Sequence, residues 1–410
     1  MFRGYSRNFW LLSVGVLFFM TSFNLLIPEL NTMMERLGAG DKKGLVFIFF
    51  SITAAISRPI SGKLSDTIGR KKVMYIGILI GAITCMLYPY IESILLFLLL
   101  RLAHGFSAGV HPTGATAMVT DLLPPNKRGQ GMGIWGVFVS VGFGFGQMLS
   151  SAVISYLGYD ALFIVASGFA VVSGILLIKV RETLPSQQLV RFSTGLLKLH
   201  WNDIIEPSVR PSAVVMFLSA TCSGYIFVIT PDISGYLGLD NKGIFFGFYT
   251  MSTLVVRLFT ASLSDIIGRR KTLIIAMSLL CCSMIMVALS DSVFLFLSAA
   301  LIYGVASGIS SPTLMAWMAD LSNPLRRGVG SGTLFIALEC GFMFGAGLSI
   351  LTYDSNASSV FESFLVAATC AVLAIGYLIW HLSTFRSPDL QQNPSVVPVT
   401  SQENTTQNYK

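Results

Sequence analysis

One carboxylate, Glu339, lies near the middle of a long apolar segment at about residues 329–352. A charged acid is costly in apolar surroundings, and acids that persist in membrane segments usually serve a function. Burial favours the protonated form of a carboxyl group. Glu339 is therefore a candidate for a group that binds and releases a proton or contacts a solute. A permanent ion pair with a basic residue is the alternative.

A second set of titratable residues occupies one face of the segment at residues 94–118. His104 and His111 follow Arg101 by three and ten positions, which places the three side chains within roughly 80° of arc on an α-helix. Histidine titrates near neutral pH, so His111 could pass on a proton and His104 could contact a substrate. Two histidines held by hydrogen bonds inside a protein core are the alternative.

Three further polar residues lie in or at the ends of apolar segments. Glu29 and Asp232 each follow a proline, Pro28 and Pro231. They could contact a substrate, close a gate or attract cations, or they could be solvated helix ends. Asn24 lies deep in the first apolar segment, where its amide could form a hydrogen bond with a substrate.

The segments that carry these residues are long and continuous. Of the 410 residues 53% are hydrophobic and 11% are charged, whereas a soluble domain is about one quarter charged. A membrane helix needs about 20 apolar residues, and runs without alternation exclude a transmembrane barrel. The sequence therefore predicts an all-α membrane protein with twelve transmembrane helices. They are expected at residues 8–30, 44–64, 73–91, 94–118, 130–154, 161–180, 211–237, 243–262, 272–290, 293–318, 329–352 and 360–383.

Composition and motifs exclude several other classes of protein. The six cysteines all fall in apolar segments and lack metal-ligating spacing, so we expect neither a metal site nor a cofactor. The net charge of +7 comes without a separate basic domain, which argues against nucleic-acid binding. The chain contains no nucleotide-binding or hydrolase motif, so we do not expect an enzyme.

Basic residues are distributed unevenly among the predicted loops. With a cytoplasmic N-terminus, the external loops contain Arg36, Lys42, Lys43 and Lys242, and the other loop lysines and arginines are cytoplasmic. An excess of Lys and Arg marks cytoplasmic loops. We therefore expect an integral protein of the plasma (inner) membrane with both termini in the cytoplasm.

A long cytoplasmic loop at residues 181–210 divides the chain into two halves. Residues 1–180 and 211–385 then hold six predicted helices each. Residues 386–410 are polar and are predicted to be a disordered cytoplasmic tail. Part of the loop, at residues 196–205, could be an amphipathic helix on the membrane surface or a plain linker.

A repeat at an offset of 199 residues relates the two halves. The sequence from Leu64 to Lys72 returns from Leu263 to Lys271, and the same offset relates glycines and charged residues around the fourth and tenth segments. Whole halves are therefore duplicated. The paired residues that could form a conformational latch are Arg58 and Arg257, Asp66 and Asp265, Gly69 and Gly268, Arg70 and Arg269, and Asp121 and Asp320.

The physical basis for a latch is a carboxylate at the end of a helix. Asp66 and its copy Asp265 could bind a neighbouring helix N-terminus or a basic side chain, and such a contact would hold the two halves together on one side. The basic residues beside them could instead serve only as topology anchors. Arg58 and Arg257 lie two turns deeper, where an arginine needs a partner or extends its side chain to the surface.

The stretch from Gly62 to Lys72 resembles the signature loop of the major facilitator superfamily. Arg101 and the glycines that follow it resemble the second motif of that family. The glycine-rich segment at residues 130–154 resembles its antiporter motif, although Gln147 stands where the motif has proline. The resemblance implies two six-helix halves in a pseudo-twofold arrangement, alternating access, and proton coupling through Arg101 as in drug-efflux members.

Two functions remain open on these grounds. The first is proton-coupled efflux, an antiport of small amphipathic molecules. The second is proton-coupled symport of a metabolite such as a sugar or an organic acid, since one fold serves both directions. The duplicated latch loop disfavours a receptor or a channel. The expected partners are a small-molecule substrate, protons and the lipid bilayer, with no nucleic acid and a single copy of the chain.

Overall fold

Helices make up almost the whole fold, as predicted. The structure is a computed structural model that describes residues 5–123, 128–198, 204–260, 263–322 and 327–384, and these ranges contain no strand. Eleven helices of the described residues are long and apolar enough to cross a membrane, and a twelfth apolar helix is shorter. The predicted all-α class with twelve apolar helices is therefore confirmed.

The helices follow the predicted apolar segments along the chain. The N-terminal half contains α1 (Arg7–Leu25), α2 (Leu45–Thr67), α3 (Arg70–Leu87), α4 (Ile94–Leu122), α5 (Arg128–Leu157) and α6 (Tyr159–Ile178). The C-terminal half contains α7 (Arg210–Tyr236), α8 (Ile244–Thr260), α9 (Arg269–Ala288), α10 (Val293–Leu321), α11 (Arg327–Thr352) and α12 (Ala357–Thr384). A short helix, Leu263–Ile267, follows α8.

The first predicted span is interrupted at Pro28. After α1 ends at Leu25, a 3₁₀ turn covers Ile27–Glu29 and a short helix continues over Leu30–Arg36. Proline lacks the N–H that a continuous helix would use at this position. Pro231 does not have this effect, because α7 continues through it to Tyr236.

The loop between the halves contains short 3₁₀ turns in its described parts. These turns cover Ser186–Gln188, Thr194–Leu197 and Pro207–Val209. The amphipathic helix considered at residues 196–205 extends over residues that lie outside the described ranges, and the predicted tail at residues 386–410 lies outside them entirely.

Glycines allow helices of the same half to pack closely. A Cβ atom added to Gly105 of α4 would overlap the carbonyl oxygen of Phe50 in α2, and one added to Gly304 of α10 would overlap that of Tyr249 in α8. The two contacts are equivalent, because 304 − 105 and 249 − 50 both equal 199. The repeat therefore extends from the sequence to the packing of the helices.

Glycines also form the turns inside the signature sequences. Gly69 and Gly268 precede α3 and α9 with φ angles of 111° and 93°. Residues with side chains rarely adopt this region, and glycine does so without steric cost. The two turns place Arg70 and Arg269 at the first position of the next helix.

Two pairs of helices form most of the contact between the halves among the described residues. α2 packs against α11, and α5 packs against α8. These pairs are equivalent under the repeat, so the halves are related by a pseudo-twofold axis. We call the end of the bundle that carries the turns at Gly69 and Gly268 the basic end. The end that carries Lys43 and Lys242 is called the far end.

Candidate functional site

An ion pair between Arg58 of α2 and Glu339 of α11 joins the two halves. Nη2 and Nε of Arg58 lie 2.7 Å and 3.3 Å from Oε1 of Glu339. The side chains are 17% and 7% exposed, so bulk salt screens their attraction only weakly. The guanidinium also lies over the ring of Phe335, 4.8 Å from its centroid. The sequence singled out both charged residues, and the structure brings them together.

This pair lies near the middle of the helices that carry it. Glu339 follows the first residue of α11 by 339 − 327 = 12 positions and precedes the last by 352 − 339 = 13. At 1.5 Å per residue it is therefore roughly 20 Å from either end of the helix. We call the level of the Arg58–Glu339 pair the middle layer.

The equivalent position across the pseudo-twofold axis has no ion pair within the part of the chain that the structure describes. Arg257 of α8 corresponds to Arg58 (257 − 58 = 199), and its Nη1 donates to Oγ of Ser140 in α5 over 2.9 Å. Ser140 corresponds to Glu339 (339 − 140 = 199). Among the residues that the structure describes, no carboxylate lies within ion-pair distance of Arg257. Nε of Arg257 is buried and has no hydrogen-bond partner among the described residues.

Aromatic rings fill the contact between the halves on the far side of the middle layer. The ring of Phe227 in α7 lies 6.2 Å from Phe47 of α2, 5.8 Å from Phe143 of α5 and 5.4 Å from Phe342 of α11, measured between centroids. Phe342 is three residues, or about 4.5 Å, closer to the far end than Glu339. One side chain of the C-terminal half thus packs against two helices of the N-terminal half.

Two crossed ion pairs join the halves at the far end. Lys43 of the N-terminal half binds Asp232 of α7 at 2.5 Å, and Lys242 of the C-terminal half lies 3.3 Å from Glu29. The lysines are equivalent under the repeat (242 − 43 = 199). Nδ2 of Asn31 also donates across the boundary to Asp232, over 3.1 Å. The structure therefore places Glu29 and Asp232, both candidates for substrate contact, in ion pairs between the halves.

Lys43 keeps its charge in this position. Its side chain is 3% exposed and also binds Glu35 at 2.6 Å. Burial lowers the pKa of Lys43, but the carboxylates of Asp232 and Glu35 raise it by more, so the pKa lies above its usual value. Lys43 therefore remains a cation at neutral pH.

Two equivalent glycines complete the far-end contact. A Cβ atom at Gly44 would overlap the carbonyl oxygen of Ala346 in α11, and one at Gly243 would overlap that of Gln147 in α5. The offset is 199 for both partners (243 − 44 and 346 − 147). Backbones of opposite halves thus touch directly. Together with the crossed ion pairs these contacts close the far end.

Arg101 and His104 are buried inside the N-terminal half. Nε of Arg101 donates to the carbonyl of Val46 over 3.2 Å, and its Nη1 lies 3.5 Å from the Tyr88 hydroxyl and from Nδ1 of His104. The guanidinium lies 4.6 Å above the ring centroid of Phe50. Arg101 and His104 are 1% and 3% exposed. They contact each other, as expected for one helix face, within a single half.

The other polar residues predicted in this half are also buried. His111 stacks on Phe19 with centroids 3.8 Å apart, and neither of its ring nitrogens has a hydrogen-bond partner among the described residues. Asn24 donates to the carbonyl of Met20 over 2.8 Å and accepts from Gln147 over 3.0 Å. Both ends of the Asn24 amide are thus occupied by protein groups.

The signature loops form similar clusters at the basic end, each inside its own half. Nε of Arg70 lies 2.6 Å from Asp121, and Nη2 lies 3.3 Å from Asp66, which is 69% exposed. The equivalent contacts are Arg269 to Asp320 at 2.9 Å and Arg269 to Asp265 at 2.5 Å. Three predicted latch residues of each half are thus brought together inside that half. The other two predicted latch arginines, Arg58 and Arg257, lie in the middle layer instead.

Glu182 was missed by the sequence analysis. Its carboxylate accepts hydrogen bonds from the backbone N–H groups of Arg70 and Lys71, over 3.2 Å and 2.9 Å, at the start of α3. It also accepts from its neighbours Thr183 and Leu184. A carboxylate is favourable at a helix N-terminus. This acid ties the loop between the halves to the signature loop, and no local motif marks it.

The described residues contain no group of three or more His, Cys, Asp or Glu side chains that could hold a metal ion. The described groups at the boundary between the halves form ion pairs, hydrogen bonds and aromatic contacts.

Sequence comparison identifies similar proteins. A family model described as Major Facilitator Superfamily matches residues 12–240 and 212–403. The chain is 22% identical over 377 residues to multidrug resistance protein 2 of Bacillus subtilis. The aligned region covers 87% of this chain and 90% of that protein. It is 21% identical over 220 residues to the quinolone resistance protein NorA of Staphylococcus aureus, covering 52% of this chain and 56% of NorA.

Two solved structures have a similar fold. The human organic anion transporter MFSD10 (TETRAN) aligns with a TM-score of 0.71 at 21% identity, over 91% of this chain and 99% of that one. A mutant of the nucleoside transporter NupG aligns with a TM-score of 0.74 at 14% identity over the same shares. At these identities the likeness concerns the fold.

Proposed function

The chain belongs to the major facilitator superfamily and is a membrane transporter, and we propose that it exports small amphipathic molecules in exchange for protons. The names of its relatives in Bacillus subtilis and Staphylococcus aureus, which concern multidrug and quinolone resistance, support the export of such compounds. The two similar structures carry names that concern organic anions and nucleosides, so fold alone does not choose the substrate.

The observation that carries the proposal is the Arg58–Glu339 ion pair. Deprotonated Glu339 holds α11 to α2 of the other half through Arg58. A proton on Glu339 removes the charge that Arg58 binds, and the bond between the halves is lost. The empty, deprotonated carrier is then locked, whereas the protonated one is free to change conformation. An exchanger needs this restriction, because an empty carrier that cycled freely would dissipate the proton gradient.

We propose alternating access between the basic end and the far end. By the excess of Lys and Arg, the basic end is cytoplasmic. The crossed ion pairs and the glycine contacts then close the external side, and the substrate enters from the cytoplasm. In the opposite state the far-end contacts separate, and the exposed carboxylates of Asp66 and Asp265 are available to bind the other half as a latch.

Within the N-terminal half, Arg101 and His111 remain candidates for a second step in proton coupling. His111 carries two buried ring nitrogens without partners among the described residues, and leaving a buried polar group unsatisfied costs free energy. This cost is what supports a functional role for His111. His104 and Asn24 are assigned to the support of this half, because their polar atoms contact protein groups.

Transport in proteoliposomes with an imposed pH gradient tests the proposal. The interior is made acidic and is monitored with a pH-sensitive dye, and fluorescent amphipathic compounds are added outside. Export by antiport predicts that each transported compound collapses the gradient as it accumulates inside. Glu339→Gln should abolish this response while the protein stays folded. Accumulation driven by an acidic exterior instead would identify the alternative, proton symport of a metabolite.

A further inference from the structure

The two halves present equivalent arginines in the middle layer, but their surroundings differ at two positions. Arg58 is paired with Glu339 and covered by the ring of Phe335. Arg257 meets Ser140 at the position equivalent to Glu339. The residue equivalent to Phe335 is Gly136, since 335 − 136 = 199. Around Arg257 a carboxylate and an aromatic ring are therefore replaced by a hydroxymethyl group and a hydrogen atom.

One of these replacements leaves open space at Gly136. A Cβ atom added to Gly136 would have no atom of another described residue within 4 Å. Gly136 and Ser140 are four residues apart on α5 and thus lie on the same face of the helix. Because Ser140 contacts Arg257, this face is the one directed at the arginine. The helix face that contacts this arginine thus has open space at Gly136, and Arg257 has no carboxylate partner among the described residues.

An arginine in the middle of a membrane protein is costly without an anion or a network of hydrogen bonds. Within the described ranges, Arg257 has one hydrogen bond to a neutral hydroxyl, and its Nε is buried without a partner. Ser140 cannot neutralise the charge. Since the pseudo-symmetric site shows which groups satisfy an arginine in this layer, the missing groups are a carboxylate and an aromatic ring.

We propose that Arg257, Ser140 and Gly136 form a subsite for a substrate that carries an aromatic ring and a carboxylate or equivalent anionic group. The anion would bind the Arg257 guanidinium, as Glu339 binds Arg58, and the ring would occupy the volume that Phe335 fills on the other side. This inference deepens the proposed function, on which it rests, by naming the chemical class of the transported molecule.

The test is equilibrium dialysis of the purified chain in lipid nanodiscs without a proton gradient. The probes are two acids, naphthoate and phenylbenzoate, and the neutral carboxamide of each. Wild type should bind the acids at least about tenfold more tightly than the amides, as expected for a charge-assisted hydrogen bond. Arg257→Gln should remove this preference. Arg191→Gln, at an exposed residue of the loop between the halves, is the matched control and should retain it.

Two variants keep Arg257 and test the geometry. Ser140→Glu supplies the missing carboxylate within the protein, and Gly136→Phe fills the open volume, so both should weaken the binding of the acids by about tenfold. If Arg257→Gln does not fold, the loss of acid binding in these two variants still tests the subsite. Equal affinity of wild type for acids and amides, failure of both acids to bind, or a preference that survives in Arg257→Gln would each overturn the subsite.

The outcome can be separated from that of the proposed function. Dialysis measures binding alone, so a preference for acids would stand even if proton-driven transport failed in the proteoliposome assay. Conversely, equal binding of acids and amides by the wild type, together with intact proton-driven transport, would remove the subsite and leave the exchange mechanism in place.

Discussion

Arg58 and Glu339 are separated by 281 residues along the chain and by 2.7 Å in space. The bond joins α2 of one half to α11 of the other at the middle of both helices. Its strength depends on one proton, because only the ionised carboxylate attracts the guanidinium strongly. In the proposed mechanism this pair would connect an ionisation event to the freedom of two six-helix units to move.

Glu339→Gln should abolish proton-driven transport. The amide keeps the size of the carboxylate but neither gains nor releases a proton, so the change removes the exchange step without leaving a cavity. We expect transport in proteoliposomes to fall to the level of liposomes without protein. Glu92→Gln, at an exposed position between α3 and α4, serves as the control. Proton-driven flux at the wild-type rate in Glu339→Gln would remove Glu339 from the mechanism.

Arg58→Met should destabilise the protein more than the double variant Arg58→Met with Glu339→Gln. The single change leaves a carboxylate largely buried without its partner, which costs roughly 3 kcal/mol. The double change removes both charges and should restore most of the loss. The apparent melting temperature in detergent measures the difference. Equal melting temperatures for the two variants would show that the pair is not coupled.

Gly44→Ala and Gly243→Ala should open the far end. Each added methyl group would overlap a backbone carbonyl of the other half, and backbone cannot yield as a flexible side chain can. Spin labels placed at the exposed Asp41 and Asp240, in a background without cysteine, would report a longer distance than in the parent protein. Gly376→Ala, whose Cβ would meet open space, is the control. An unchanged distance in both variants would contradict the role of these glycine contacts in closing the far end, which we call the far-end seal together with the crossed ion pairs.

Lys43 should support the far-end seal up to alkaline pH. Its pKa is raised above the usual value of 10.5, so its stabilising contribution is fully present below 10.5 and is lost only as the pH rises through the raised value. The same spin-label distance should therefore stay constant from about pH 7 to about pH 10 and increase above that range. Lys43→Gln should show the longer distance throughout. Opening of the parent protein near neutral pH would exclude Lys43 as a main support.

Asp66→Asn should slow turnover without weakening substrate binding. The carboxylate is exposed and bound inside its own half in the far-end-closed state, so its removal should affect mainly the opposite state, in which a latch would form. We expect a lower transport rate at an unchanged dissociation constant. Asp291→Asn, at an exposed turn between α9 and α10, is the control. A normal rate in Asp66→Asn would limit the loop to an anchoring role.

Helices, halves and the signature clusters could be predicted because they depend on local patterns. Apolar runs predict the helices, and the repeat identifies equivalent residues such as Gly44 and Gly243. The partners across the boundary could not be predicted, because they depend on how far α2 is shifted along α11. Lys43 illustrates the difference, since its sequence suggests a solvated loop lysine whereas the fold buries it to 3% exposure.

The polar residues of the first half show a second limit. Arg101 and His104 were correctly placed on one face of α4, but periodicity does not reveal which neighbour that face meets. The face turns toward Val46 and Tyr88 of its own half. Glu182 escaped notice for a related reason, because a carboxylate that caps a distant helix leaves no spacing pattern near itself.

The crossed arrangement at the far end also restricts the kind of motion available. Lys43 with Asp232 and Lys242 with Glu29 lie on opposite sides of the pseudo-twofold axis. Two ion pairs on opposite sides of an axis resist rotation of one half against the other about that axis. Tilting about the line that joins them remains the softer movement. A twist of the halves would have to break both ion pairs at once. A rocking motion can first separate other contacts of the far end and then break the ion pairs one after the other.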